Sequence, residues 1–269
     1  MLSFYINSRK LYDKSKLIIM KYLKKISILL FFILSFKPSY SQNKKEIVIF
    51  SSKDNVNITA DIYLTEKKDA PFILLFHQAM FSRGEYIEIA PKLNELGFNC
   101  IAIDQRSGFQ VNGLKNQTYK DAKSKDMKTK YPNVFPDLDA TFEYVKKNYT
   151  PNKIIVWGSS YSSSLVFILA AKNKDIKGLL SFSPGEYFVF EDIKIGDWAK
   201  KVDCPVFVTS SKKEAKECSL IFKNVNNKSS VQFIPENKGF HGSKALWEIK
   251  EGHKEYWIAV KSFLKQFQN

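Results

Sequence analysis

The chain has 269 residues, with 42 Lys and Arg against 27 Asp and Glu and a formal charge of +15. Its lysines are scattered, arginine beyond residue 41 is confined to Arg83 and Arg106, and no basic stripe is interleaved with aromatics, so the usual footprint of nucleic-acid binding is absent. Cys100, Cys204 and Cys218 lack metal-ligand spacing and allow at most one disulfide, Cys204 and Cys218 being the closest pair in sequence.

From the N-terminus, Met20-Lys-Tyr-Leu-Lys-Lys25 is basic, the next eleven residues to Phe36 are almost all apolar, and Lys37-Pro-Ser-Tyr-Ser41 ends in small residues. That three-part pattern is a secretory signal. The apolar run falls short of the roughly 20 residues that a membrane span needs. Met20 is therefore the expected start and Ser41 the last residue removed, leaving 42–269 as one secreted or periplasmic domain with no stable membrane anchor. An uncleaved anchor is the other reading, since Leu17-Ile-Ile-Met20 would lengthen the helix if Met1 were used. Cleavage would remove eight basic residues and one acidic residue, leaving 34 against 26, or +8, a solubilising lysine-rich surface.

Residues 46–52 and 57–64 alternate apolar and polar, as two half-exposed antiparallel strands would. Beyond them come short, continuously apolar runs at 72–76, 99–103, 154–157, 178–182, 206–209 and 231–234, which predict strands covered on both faces. Helical patterns fall between them at 85–96, 137–148, 160–171, 214–226 and 254–267. An antiparallel start followed by β/α alternation predicts an α/β fold with a mostly parallel, doubly wound sheet. Residues 105–131 read as a polar, irregular loop, long enough to cover a site and too short for a cap domain.

One stretch carries chemistry. Ile154-Ile-Val-Trp157 runs through Gly158-Ser159-Ser160-Tyr161-Ser162 into an apolar helix, a strand–turn–helix with small residues around Ser160. Such a turn exposes a nucleophilic hydroxyl at its tip, although serines at a helix start also serve as ordinary N-caps. Context decides between these readings.

With that context the chain resembles the α/β-hydrolases, and among them the small, cap-poor esterases similar to dienelactone hydrolases, with serine in place of their cysteine nucleophile. The resemblance covers most of residues 42–269. It rests on the Gly-x-Ser-x-Ser turn, His77-Gln-Ala-Met80 after the strand at 72–76, Asp104-Gln-Arg-Ser-Gly108 after the next strand, and Gly239-Phe-His-Gly242 after the last. Serine stands at 162 and glutamine at 78 where that family has glycine. The resemblance implies Ser160 as nucleophile, His241 as base, and backbone N–H groups of Ala79 and Tyr161 as the oxyanion hole. Of the other histidines, His77 reads as structural and His253 as a surface or capping residue. The acid is Glu214, in the order Ser160, Glu214, His241, or else Glu186. Glu214 equally suits a charged helix start. Asp104 and Arg106 would brace loops, and Tyr119, Tyr131, Phe135, Tyr161, Tyr187 and Phe188 fall in loops on the expected active-site side, either lining an acyl or aromatic pocket or serving as ordinary packing. The expected activity is hydrolysis of an ester or related acyl bond in a small-molecule or peptide substrate, with no metal and no cofactor. The alternatives are a peptidase with the same residues, or a binding protein on a hydrolase scaffold.

Overall fold

Phe72, Leu74 and Phe76 turn one way from their strand and Ile73 and Leu75 the other, yet all five are completely buried, so this strand is covered on both faces. The computed structural model, which describes residues 45–67 and 69–268, places it near the middle of an eight-stranded sheet. In chain order the strands are β1 (Lys45–Ser51), β2 (Asn57–Tyr63), β3 (Phe72–Phe76), β4 (Asn99–Ile103), β5 (Gln110–Val111), β6 (Leu114–Lys115), β7 (Ile154–Ser159), β8 (Ile176–Phe182), β9 (Val206–Thr209) and β10 (Val231–Phe233). The helices are α1 (Ile89–Glu95), α2 (Gln117–Ser124), α3 (Phe135–Asn148), α4 (Tyr161–Lys172), α5 (Ile195–Ala199), α6 (Ala215–Phe222) and α7 (His253–Leu264).

The sheet order is β1-β2-β4-β3-β7-β8-β9-β10, while β5 and β6 pair as a separate small ribbon. Strand β2 is antiparallel to both neighbours, and every pairing from β4 onward is parallel. From β3 the chain first goes outward to β4 and then crosses to β7 on the other side. The carboxyl ends of β3 and β7 therefore flank a topological switch point, where an open α/β sheet leaves a crevice for a ligand.

Two apolar cores cover the sheet. One packs α3, α4, α5 and α6 against the face carrying Phe72, Leu74 and Val156. The other packs α1 and α7 against Ile73, Leu75 and Trp157. Helix α4 has ten of its twelve residues buried, three serines of its first turn among them, so it is enclosed all round by the sheet and its neighbours.

The predicted strands match closely, and the helices differ in places with clear causes. A continuous helix over 85–96 would put Pro91 in its interior, where the missing N–H and the ring are costly. The chain instead makes a 3₁₀ turn at Arg83–Tyr86 and starts α1 at Ile89, which leaves Pro91 in the first turn. The expected loop at 105–131 contains the β5–β6 ribbon and α2, whose start is capped by the Asn116 side chain accepting from Tyr119 N–H at 2.7 Å. Helix α2 has little apolar content and docks through Thr118, whose hydroxyl accepts from Thr59 N–H at 3.0 Å, so it lacks the apolar periodicity that marks a helix in sequence. Cys204 and Cys218 are free thiols, as is Cys100. The expected signal segment lies outside the described residues. Among those described, no helix is long and apolar enough to cross a membrane.

Candidate active site

Strand β7 ends at Ser159 and α4 starts at Tyr161, so Ser160 alone makes the turn. It does so at φ 58° and ψ −125°, a backbone conformation that costs a non-glycine residue of order 1–3 kcal/mol and persists only when its surroundings over-determine it. Those surroundings are visible. Ser160 N–H donates to Phe182 O at 2.8 Å, and Ser163 N–H donates to Ser160 O at 2.9 Å. Two residues earlier, a Cβ on Gly158 would overlap the Ser162 carbonyl and stand 2.6 Å from Ser163 Cα, so only glycine lets β7 meet the first turn of α4 this closely.

The serines around the turn divide by environment. Ser162, standing where the resemblance leads one to expect glycine, is fully buried; its hydroxyl donates to His77 O at 2.6 Å and accepts from Gln105 Nε2 at 2.8 Å. Ser164 Oγ donates to Gly185 O at 2.7 Å. Ser160 remains partly exposed, its Oγ 2.8 Å from His241 Nε2.

His241 comes from the loop after β10. Gly239, at φ 63°, lies against the Tyr256 hydroxyl of α7 where no Cβ would fit, and that hydroxyl accepts from Phe240 N–H and donates to Ser210 O. On its far side the His241 ring hydrogen-bonds through Nδ1 to Glu214 Oε1. A carboxylate can only accept, so Nδ1 carries the proton and Nε2 presents a lone pair to Ser160.

Glu214 closes the 3₁₀ turn that leads into α6, and its two oxygens do different jobs. Oε1 takes His241, while Oε2 accepts from Ser211 Oγ at 2.7 Å, Ser211 N–H at 3.2 Å and Ser183 Oγ at 3.2 Å. One oxygen of this residue thus closes the capping box of a helix start, and the other faces His241. Burial alone would raise its carboxyl, but the hydrogen bonds from His241 and Ser211 outweigh that and hold it at about 2.

The other candidates lie elsewhere. Glu186 caps α5, its oxygens accepting from Ile195 N–H at 2.7 Å and Gly196 N–H at 2.8 Å, and it does not meet His241. His77 is completely buried: Nδ1 donates to Gln78 O at 2.7 Å and Nε2 accepts from Gln105 N–H at 2.9 Å, and burial pushes the ring down to about 4, so it is a neutral structural group. His253 opens α7. Asp104 and Arg106 are both buried but do not pair with each other. Asp104 bonds Arg83 (2.7 Å) and Gln117 N–H, while Arg106 is shared between Asp137 (2.7 Å) and Asp54. Among the aromatics, Tyr131 stacks on Tyr161 with ring centres 4.5 Å apart, and Phe135 packs on Phe190. A cavity of about 530 Å³ lined by Arg106, Met127, Phe135 and Phe190 includes neither Ser160 nor His241 in its wall. Among the described residues, no group of three or more His, Cys, Asp or Glu could hold a metal ion.

Two residues, Ser183 and Glu85, escaped sequence reasoning, and Tyr187, named there only for its ring, hydrogen-bonds to the first of them. Ser183, at φ 61°, links Glu214 to the histidine loop by accepting from Gly242 N–H at 3.0 Å. Tyr187 donates to Ser183 O at 2.8 Å; burial pushes its phenol up to about 12 although the Ser160 hydroxyl beside it pulls the other way. Glu85, fully buried, accepts from Ser159 Oγ and from Gln78 N–H, both at 2.7 Å. For Ser183 the only sequence signal was its place in Ser183-Pro-Gly185 after a buried strand, and for Glu85 its charge beside Arg83.

No protein-family model and no curated relative matches the sequence. Solved structures do. An esterase of Pyrococcus furiosus, Pf2001, superposes with a TM-score of 0.64 over 87% of this chain and 95% of its own, at 16% identity. Dienelactone hydrolase from Anabaena variabilis gives 0.66 over 85% and 100%, at 12% identity. Est1E from Butyrivibrio proteoclasticus gives 0.60 over 82% and 98%, at 16% identity. With the mixed sheet, the glycine-backed turn at Ser160 and these superpositions together, the chain has the α/β-hydrolase fold.

Proposed function

We propose that this protein is a serine hydrolase cleaving an ester or related acyl bond. The observation that carries this is the relay from Ser160 Oγ to His241 Nε2, 2.8 Å, and from His241 Nδ1 to the ionised Glu214. Ser160 Oγ attacks the acyl carbon and its proton passes to His241 Nε2, while Glu214 holds the imidazole in the accepting tautomer and stabilises the imidazolium. The carbonyl oxygen becomes an oxyanion facing the N–H groups of Ala79 and Tyr161. Tyr161 is the first residue of α4, where an N–H has no acceptor within the helix, and Ala79 N–H donates to nothing among the described residues. As the tetrahedral intermediate collapses, His241 returns the proton to the departing alcohol. Water then repeats the sequence on the acyl-enzyme, releasing the acid and restoring Ser160. The site's own residues supply every proton movement. That several proteins with this fold are esterases supports the choice of bond. The N-terminal signal pattern supports an activity outside the cytoplasm.

The test is labelling of the folded protein with a fluorophosphonate, followed by peptide mapping, beside Ser160→Ala. Stoichiometric modification at Ser160 that the variant loses, together with turnover of p-nitrophenyl esters, is the expected result. A folded protein that neither labels nor turns over esters between pH 6 and 9 would be a binding protein on a hydrolase frame.

A further inference from the structure

Glu85 is a carboxylate in the wrong solvent. It has no exposed surface, and it stands behind the site without touching Ser160, His241 or Glu214. Its neighbour Arg83 does not neutralise it, because that guanidinium is spent on Asp61 and Asp104. The charged or titratable groups facing it are Lys244 and His241 from the segment after β10 and the Tyr86 phenol on its own turn. Burial raises its carboxyl to about 7 against the hydrogen bonds from Ser159 and Gln78 that would lower it. A buried acid held that far from its ordinary range is a cost to folding.

What it holds lies next to the chemistry on both sides. Oε2 takes the N–H of Gln78, the residue before Ala79. Oε1 takes the hydroxyl of Ser159, the residue before Ser160. Ser159 Oγ in turn accepts from Ser243 N–H at 2.8 Å, two residues after His241. The three segments abut without slack, since a Cβ on Gly242 would stand 2.6 Å from both Gln78 Oε1 and Ser159 Oγ.

We propose that Glu85 is a positioning residue whose two carboxylate oxygens fix the loop carrying Ala79 at a set distance from the turn carrying Ser160 and Tyr161, and so set the spacing of the two oxyanion donors. This rests on the acyl-transfer reading above. Only an ionised carboxylate accepts from both struts at once. A carboxylic acid, or the amide of glutamine, accepts through one oxygen and donates through the other group. Gln78 N–H keeps the remaining acceptor, and Ser159 Oγ, which already accepts from Ser243 N–H, must turn its own proton away to accept there as well, so the Ser159 strut loosens. The ionised form is the working form, so the proposal adds a loss of turnover as the pH falls through the Glu85 titration.

The experiment measures kcat and KM for p-nitrophenyl acetate from pH 5.5 to 9 with the wild-type protein, Glu85→Gln and Ser159→Ala, each checked for a cooperative thermal transition. Removing an oxyanion donor outright costs about 100- to 1000-fold in turnover, so displacing one is expected to lower kcat by about 10- to 100-fold. KM should stay within about threefold, because the interaction acts on the transition state. The Glu85→Gln profile should also lose one ionisation from its acid limb. A folded Glu85→Gln protein with kcat within twofold of wild type, or one whose KM alone changes, overturns the proposal. Should Glu85→Gln fail to fold, Ser159→Ala decides: it keeps the charge and the Gln78 strut, and an unchanged kcat overturns the proposal. Wild-type protein with no turnover overturns the acyl-transfer reading and this one together.

Discussion

Replacing Glu214 by glutamine changes one atom and should silence the site, because its surroundings dictate which way the amide points. The position of Oε2 faces Ser211 N–H, a backbone donor that cannot rotate into an acceptor, while the Ser211 and Ser183 hydroxyls can adapt. The amide oxygen therefore takes the Oε2 position and the NH2 takes that of Oε1, facing His241 Nδ1. A donor there forces the imidazole proton onto Nε2, where it opposes the Ser160 hydroxyl it should deprotonate. Restoring the working tautomer sets donor against donor, about 1–3 kcal/mol, and forfeits a charge-assisted hydrogen bond of about 1.5–3 kcal/mol. Both side chains are about a third exposed, 32% for His241 and 31% for Glu214, which favours the lower half of that sum. About 2.5–4 kcal/mol on the barrier is about two to three decades in rate. Stopped-flow acylation with p-nitrophenyl acetate should show that loss in the acylation rate of the Glu214→Gln protein with its thermal midpoint little changed. A well-folded Glu214→Gln protein acylating within tenfold of wild type would refute the assignment of the tautomer to Glu214.

Glu85→Gln carries a stability prediction separate from its effect on turnover. The folded carboxyl at about 7 lies above its ordinary 4.5, so protonation stabilises the fold: that stability is present below about pH 4.5 and is gone above about pH 7. The lost amount is on the order of 3 kcal/mol, and urea unfolding at pH 5 and pH 8 should show Glu85→Gln gaining on wild type at the higher pH; parallel stabilities at both would contradict it. Gly158→Ala drives a methyl into the Ser162 carbonyl, so β7 and α4 must part, at about 1–3 kcal/mol or more; a lower thermal midpoint and a loss of Ser160 labelling should appear together. Ser162→Gly, a change toward the family's usual residue, removes a buried hydroxyl that serves His77 O and Gln105, and calorimetry should find the variant less stable by about 1–3 kcal/mol.

What could be read in advance follows from how far a signal reaches along the chain. Strands β3, β4 and β9 were legible to the residue because continuous apolar runs with polar boundaries are local facts. Helix α2 was not, since what holds it is a side-chain cap and a bond to β2 59 residues away. Ser160 and His241 stood out through small-residue spacing and the scarcity of histidine, with only three in the chain. Glu214 was ambiguous for a physical reason, because its second oxygen closes the capping box that makes it look like an ordinary helix start. The Asp104-Gln-Arg106 stretch read as a brace of loops without naming what it braces, and in the structure the two side chains bond different partners. Their partners, Arg83 and Asp137, lie 21 and 31 residues away, and no local pattern names them.

The departures from the family's pattern bear on whether this frame still does chemistry. Serine at 162 and glutamine at 78 could each be read as decay of a catalytic motif. Decay at independent positions would leave unrelated polar groups stranded in the interior, each costing about 1–3 kcal/mol. Here the two positions belong to one hydrogen-bonded set. Ser162 donates to His77 O, the His77 ring donates to Gln78 O, Gln78 N–H is held by Glu85, and Glu85 is held by Ser159 beside Ser160. The set closes through Gln105, whose N–H donates to the His77 ring and whose side chain bonds both Ser162 and Tyr161. Within it the buried atoms without a partner among the described residues are Gln78 Oε1 and Gln105 Oε1. Of the two departures only Ser162 enters the set through its side chain; Gln78 enters through its backbone N–H and carbonyl, which a glycine would also supply, and the set as a whole holds the turn and loop behind Ser160 in a defined geometry. Ser160 keeps φ 58° because this set, together with the Phe182 carbonyl and the Ser163 N–H, over-determines the turn.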